Sequence, residues 1–182
     1  MSSMYFAAVV APPEINEKVV EWKQFMKERF GCVVALRSPA HITLIPPFWM
    51  EDGDEEKLKN AISAFSRSQI PFEINLRNFA AFKPRVIYVD ILPSAELHSL
   101  HDQLEEFLVT QHRFPIKKDE RSFHAHISIA ARDLHKKSFR DAWEIFKEKK
   151  YEASLLTRGI SLLRHNQKNW DMIYTSQFEK QV

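Results

Sequence analysis

Two short phrases place chemically useful side chains at a useful spacing: His41-Ile42-Thr43-Leu44 and His126-Ile127-Ser128-Ile129. Successive side chains of a β-strand point to opposite faces. His41 and Thr43 therefore share one face, roughly 7 Å apart, while Ile42 and Leu44 share the other. His126 and Ser128 repeat the arrangement. Each phrase thus offers one imidazole and one hydroxyl from a strand whose other face is apolar. An unperturbed imidazole titrates at about pH 6.5, so it can give or take a proton at neutral pH. Two imidazoles on opposite sides of a phosphorus atom can divide the work. One takes a proton from attacking water and the other gives one to the departing oxygen. The hydroxyls hydrogen-bond the non-bridging phosphate oxygens and hold the phosphorus in line. A cyclic phosphodiester suits such a site, because its leaving oxygen stays tethered. No metal or carboxylate is required.

One histidine on a strand is more often structural than catalytic. The repetition changes the balance: the two phrases begin 85 positions apart in a chain with 8 histidines.

The elements that must carry these groups follow from the hydrophobic pattern. "MYFAAVVAP" reads as a strand closed by Pro12-Pro13. Residues 14–30 read as a helix striped by Ile15, Val19, Trp22, Met26 and Phe30, and Gly31 stops it. "CVVAL" reads as a further strand. Ser38-Pro39 breaks it before the first histidine strand, which Pro46-Pro47 is expected to end. A second helix in "DGDEEKLKNAISAF" puts acidic residues in its first turn, where the helix dipole favours them. "FEINLRNFAAF" and "RVIYVDIL" form a hairpin about Lys83-Pro84. Ser94 caps a third helix that reaches about His112. "SFHAHISIA" carries the second phrase. Ser138 and Asp141 resemble a capping box for a fourth helix. "EASLLTRGISLLRH" and "WDMIYTSQF" are the closing strands. Helices mixed with hairpin-like strand pairs indicate an α+β fold with antiparallel sheets, not a doubly wound parallel one.

Composition narrows the classes. The chain has 182 residues, with 45% hydrophobic and 27% charged, as in a soluble globular protein of one domain or two small lobes. Only 3 glycines are present and no glycine-rich phosphate loop appears. A net charge of +2 is too small to mark a strong nucleic-acid binder by itself. The single cysteine, Cys32, excludes an internal disulfide framework and fits a reducing compartment. The first apolar stretch is short and lacks a basic leader, so it reads as a strand and not a signal or a membrane span. A cytoplasmic location is expected, with no membrane partner.

The pair "HITL" and "HISI" resembles the double H-x-[ST]-x signature of the 2H phosphoesterase superfamily. "HITLIPPF" is similar to the bacterial branch called 2′-5′ RNA ligase or RNA 2′,3′-cyclic phosphodiesterase. The resemblance extends over the first strand, the following helix, both motif strands and "RVIYVDI". It implies one domain over residues 1–182, built as two pseudo-symmetric lobes of antiparallel sheet flanked by helices, with a central cleft. It further implies His41 as general acid, His126 as general base, and Thr43 and Ser128 as phosphate binders. RNA ends or cyclic nucleotides would be the substrate, with no cofactor. The family also carries a basic residue soon after the second motif. Here Arg132 stands one place further along, which turns it to the other face of an ideal strand unless a bulge or the strand's end restores it.

Other residues stay open between two readings. His124 shares a face with His126, so "HAH" could offer two imidazoles to an ion, but a zinc site needs three or four ligands and none is evident nearby. His124 is then expected to line the cleft. Phe48 could stack on a base or pack in the core. Arg37, Lys83, Arg85 and Arg164 could form a basic rim. Three other functions remain on these residues: a nucleotide or RNA-end binding module without turnover, a metal-dependent hydrolase built on "HAH", and an interaction domain with two buried histidines. A monomer is the simplest assembly.

Overall fold

A computed structural model describes residues 1–118 and 121–179. The order of elements is β1 (Ser2–Val10), α1 (Pro13–Phe30), β2 (His41–Glu51), α2 (Glu55–Ser66), β3 (Phe72–Phe82), β4 (Val86–Ile91), α3 (Ala95–Glu106), β5 (His126–Ala130), α4 (Lys136–Phe146), β6 (Glu152–Thr157), β7 (Gly159–His165) and β8 (Trp170–Gln177). The strands make two antiparallel sheets, ordered β2-β1-β7-β8 and β5-β4-β3-β6. The fold is α+β, as the element order indicates.

Each motif strand is an edge strand, and the two edges meet, β2 against β5. The helices cross between the lobes. α1 follows β1 of the first sheet yet packs on β5 of the second, and α3 follows β4 of the second sheet yet packs on β2. α2 covers β7 and β8, and α4 sits on β4 and α1. Ile42 and Leu44 therefore share one continuous core with Ile127 and Ile129, instead of filling two separate ones.

Four sequence expectations are corrected. "CVVAL" is not a strand: Val34–Arg37 form a 3₁₀ turn. Its leading amides, Val33 N and Val34 N, donate to Asp133 Oδ2 at 2.6 and 2.9 Å, and this bonding takes them out of reach of a ladder. Pro46-Pro47 does not end β2. The register runs Ile45↔Ala7 and then Phe48↔Tyr5, so two prolines lie opposite the single Phe6 in a bulge. An edge strand tolerates them there, because no neighbour asks for their missing N–H groups. "EASLLTRGISLLRH" is two strands, and the chain changes sheet at Arg158, between β6 and β7. Gly159 makes the change possible: a Cβ there would collide with the Ser176 carbonyl of β8. Ser138 does not cap α4, which starts at Lys136. Ser94 does cap α3, its hydroxyl accepting from Leu97 N at 3.1 Å.

Candidate active site

The two histidine phrases occupy equivalent places in the two sheets, residue by residue. In the first, His41 pairs with Val10, Ile42 with Val9, Thr43 with Ala8 and Ile45 with Ala7. In the second, His126 pairs with Asp90, Ile127 with Val89, Ser128 with Tyr88 and Ala130 with Ile87. Each motif thus carries an extra residue at its fourth position, Leu44 or Ile129, as a bulge against its neighbour. Burial alternates identically, with half-buried His and Thr or Ser and buried Ile and Leu or Ile. The expected separation of faces is what the structure has.

Each imidazole is gripped the same way. His41 Nδ1 lies 2.7 Å from Pro39 O, and His126 Nδ1 lies 2.7 Å from His124 O. A carbonyl only accepts, so Nδ1 carries the hydrogen in both rings and Nε2 is left with its lone pair. The two residues before each histidine therefore fix its tautomer.

Aromatic rings hold the imidazoles from the side. Phe6 of β1 lies 4.8 Å from the His41 ring and 4.7 Å from Trp170. Phe82 and Tyr88 lie 5.1 and 5.2 Å from the His126 ring. Burial pushes His41 down to about 4. The bond to Pro39 opposes this, and the charges of Lys23 and His126 add to it. Burial also lowers His126, with His124 contributing and the bond to the His124 carbonyl opposing. The two rings stand on edge strands that meet, β2 against β5.

A cleft of about 550 Å³ opens beside the two motif strands, lined among others by Thr43, Pro46, Phe82, Phe123, His124 and His126, with His41 and Ser128 outside its lining. A second recess of about 570 Å³ lies at the far end of the first sheet, around Met1, Trp49, Asp52 and Arg164. It is no smaller but contains neither motif, so volume alone does not choose the site.

The remaining sequence candidates separate. His124 lines the cleft as expected, and its Nε2 is hydrogen-bonded with the Tyr88 hydroxyl at 3.2 Å, with Asp90 Oδ1 at 3.9 Å. Among the described residues, no three His, Cys, Asp or Glu side chains gather as a metal-binding set. Phe48 is 6% exposed and sits in the core 6.3 Å from the Tyr5 ring, so it is not a cleft residue. Arg132 lies beyond the last residue of β5, exposed in the following turn. The bulge at Ile129 does not return it to the strand face. Arg164 reaches to Glu55 and Asp52, at 3.2 and 3.6 Å, and lines the far recess, so it is not part of a basic rim at the cleft.

Sequence reasoning missed Phe6, Tyr88, Phe82 and Lys23. The first three depend on strand pairing, which no local pattern reveals. Lys23 did leave a signal: it falls four residues after Val19 on the apolar stripe of α1, and it is 2% exposed.

With this geometry in place, three comparisons bear on it. The family model described as "2′-5′ RNA ligase superfamily" matches residues 11–169. A Geobacillus kaustophilus protein named "Putative phosphoesterase" is 27% identical over 146 residues, 79% of this chain and 78% of that one. Among solved structures, E. coli LigT complexed with 3′-AMP superposes with a TM-score of 0.73 at 18% identity, covering 99% of this chain and 100% of that one. The Thermus thermophilus protein TT0787 gives 0.69 at 17% identity, covering 97% and 98%. These two likenesses establish the fold.

Proposed function

The chain belongs to the 2′-5′ RNA ligase superfamily, the 2H phosphoesterases, and from its paired imidazoles we propose a metal-independent cyclic phosphodiesterase. Its substrate is a 2′,3′-cyclic phosphate at an RNA or nucleotide end, and its product a 2′-phosphate. Water attacks phosphorus, an O–P bond forms and the P–O3′ bond breaks. One Nε2 lone pair takes the water's proton, and the other ring, protonated when substrate is bound, gives a proton to O3′. Thr43 and Ser128 hydrogen-bond the non-bridging oxygens from the same face as the rings. Run in the same direction with a 5′ hydroxyl in place of water, the same groups would join a 2′-5′ linkage, and run backwards they would cut one.

The observation that carries this reading is the matched tautomer. Both rings donate from Nδ1 to a carbonyl two residues earlier, at 2.7 Å, and both keep Nε2 for chemistry. A nucleotide ligand is supported by E. coli LigT, seen with 3′-AMP, with ATP and with NADP⁺.

The test is hydrolysis of an oligonucleotide ending in a 2′,3′-cyclic phosphate by wild type, His41→Ala and His126→Ala. Each substitution should lower kcat/KM by about a hundredfold or more. Undiminished turnover in either folded variant refutes the two-imidazole mechanism. Tight binding by wild type with no turnover would instead establish a binding module.

A further inference from the structure

The first sheet has a face that the chemistry above uses only at one edge. In the ladder between β1 and β2, His41, Thr43 and Trp49 lie opposite Val10, Ala8 and Met4. All three therefore project from the side of β1 that carries Phe6. The registers of β7 and β8 extend that side to Leu163, Met172 and Trp170. Phe6, Ala8 and Leu163 form a cluster of their own, with Val10 and Trp170 packed against it. It is separate from the core to which all four helices contribute, and among the described residues no helix residue belongs to it.

Aromatic rings cross this face in a continuous row that begins at the candidate active site. The Phe6 ring is 4.8 Å from His41 and 4.7 Å from Trp170, and Trp170 is 4.9 Å from His165. Beside the row stand Trp49 and Met172, 60% and 55% exposed. The sheet advances about 20 Å from His41 to Trp49, the distance from Val10 to Met4 on β1. One exposed hydrophobic side chain needs no explanation. Two of them flanking an aromatic row that starts at His41 do.

The charge of the face is compatible with a polyanion but not built to grip one. Of the strand residues that share it, Glu51 is the one carboxylate, and it accepts a hydrogen bond from the Ser2 hydroxyl. Arg164 and Asp171 are register partners on the opposite side of the sheet, where Glu55 and Asp52 hold the guanidinium. Lys168 is exposed in the turn that precedes Trp170.

We propose that this face is a stacking track for single-stranded RNA: the bases that precede the cyclic end lie over Trp170 and Trp49 while the end itself sits at the two motif strands. A ribose with a 2′,3′-cyclic phosphate keeps its 5′ side for the rest of the strand, so the occupant is the substrate's own chain. The inference rests on the phosphodiesterase reading for the chemistry of that end, and it makes the substrate an oligonucleotide in preference to a mononucleotide. Every base has a face to stack, so the track selects for length and not for sequence. With few cations on the face, binding should depend only weakly on salt.

The test compares 2′,3′-cyclic AMP with cyclic-ended oligoadenylates of increasing length. In wild type, kcat/KM should rise with length by about tenfold or more and then level off. In Trp49→Ala, the ratio of oligomer to cyclic AMP should fall by about tenfold, and Trp49→Phe should keep most of it. Binding is read separately, by the quenching of tryptophan fluorescence with an oligoadenylate that ends in a 2′-phosphate. Trp49→Ala should weaken that binding by about tenfold. Equal kcat/KM for cyclic AMP and every oligomer, with no quenching, refutes the track and leaves the phosphodiesterase reading standing. An unchanged length ratio in Trp49→Ala also refutes it. So does a wild-type dimer that Trp49→Ala abolishes, which would give the face to a second copy of this chain. If RNA quenches and Trp49→Ala weakens its binding while wild type leaves every cyclic end intact, the phosphodiesterase reading fails and the track stands.

Discussion

Acid should unfold this protein partly through one ring. His41 titrates at about 4 in the folded chain against 6.5 when free, so between these values the unfolded state binds more protons. Stability then falls as pH drops through that window, and the contribution is complete above it. Integrating the two titrations from pH 7 to pH 4 gives a loss of about 3 kcal/mol from this group. The figure shrinks to the extent that cleft water reaches the half-buried ring. His41→Asn removes the titrating group and should remove this part of the pH dependence. The assay is urea unfolding of wild type and variant at pH 7 and pH 4. Carboxylates destabilise both proteins alike on acidification, so the difference of differences isolates the imidazole. A value near zero would mean that the ring is hydrated in the folded state. It would also remove the electrostatic ground for a neutral His41 at the start of turnover.

Three further outcomes follow. Thr43→Val and Ser128→Ala should each lower kcat by about tenfold or more, through loss of a donor to the phosphate oxygens, measured on the same cyclic substrate; an unchanged kcat would place those hydroxyls outside the transition state. Phe48→Ala should cost about 3–5 kcal/mol of stability while the protein that remains folded keeps its turnover, and Arg132→Ala should change stability by less than about 0.5 kcal/mol and leave kcat/KM near wild type. Turnover should persist in EDTA; its loss, restored by an added divalent ion, would move the chemistry to a metal.

Much of the site is legible in the sequence because its logic is local. Strand alternation alone separates His41 and Thr43 from Ile42 and Leu44, and the same count puts Phe48 on the parity of Leu44, the core side. Proline was misleading for a non-local reason. Pro46-Pro47 would interrupt an interior strand, but β2 has an open edge and a bulge to hold them. The apolar run Cys32–Leu36 has strand-like residue types, but the bonds of its backbone amides to Asp133, a hundred residues away, decide its shape. The switch at Arg158 depends on what lies beside Gly159, namely the Ser176 carbonyl. The cleft walls were hidden for a similar reason: Tyr88 is 40 residues from Ser128 in sequence and its direct partner across the ladder.

The repeat and its departures serve different ends. A site of two equal halves would present two equivalent imidazoles, and neither would be committed to giving or taking the proton. The identical register fixes what both halves need, namely the same tautomer, the same bulge and the same apolar backing. The crossed helices then lock the halves together, since α1 packs on β5 while holding the approach to β2, and α3 packs on β2. The distance between the rings is thus set by a shared core and not by a linker. What differs lies around this frame: Ala8 against Tyr88, Val10 against Asp90, and a buried lysine on one helix only. Those positions differ while the register of the two halves does not, and so they are where the choice of ligand can be set.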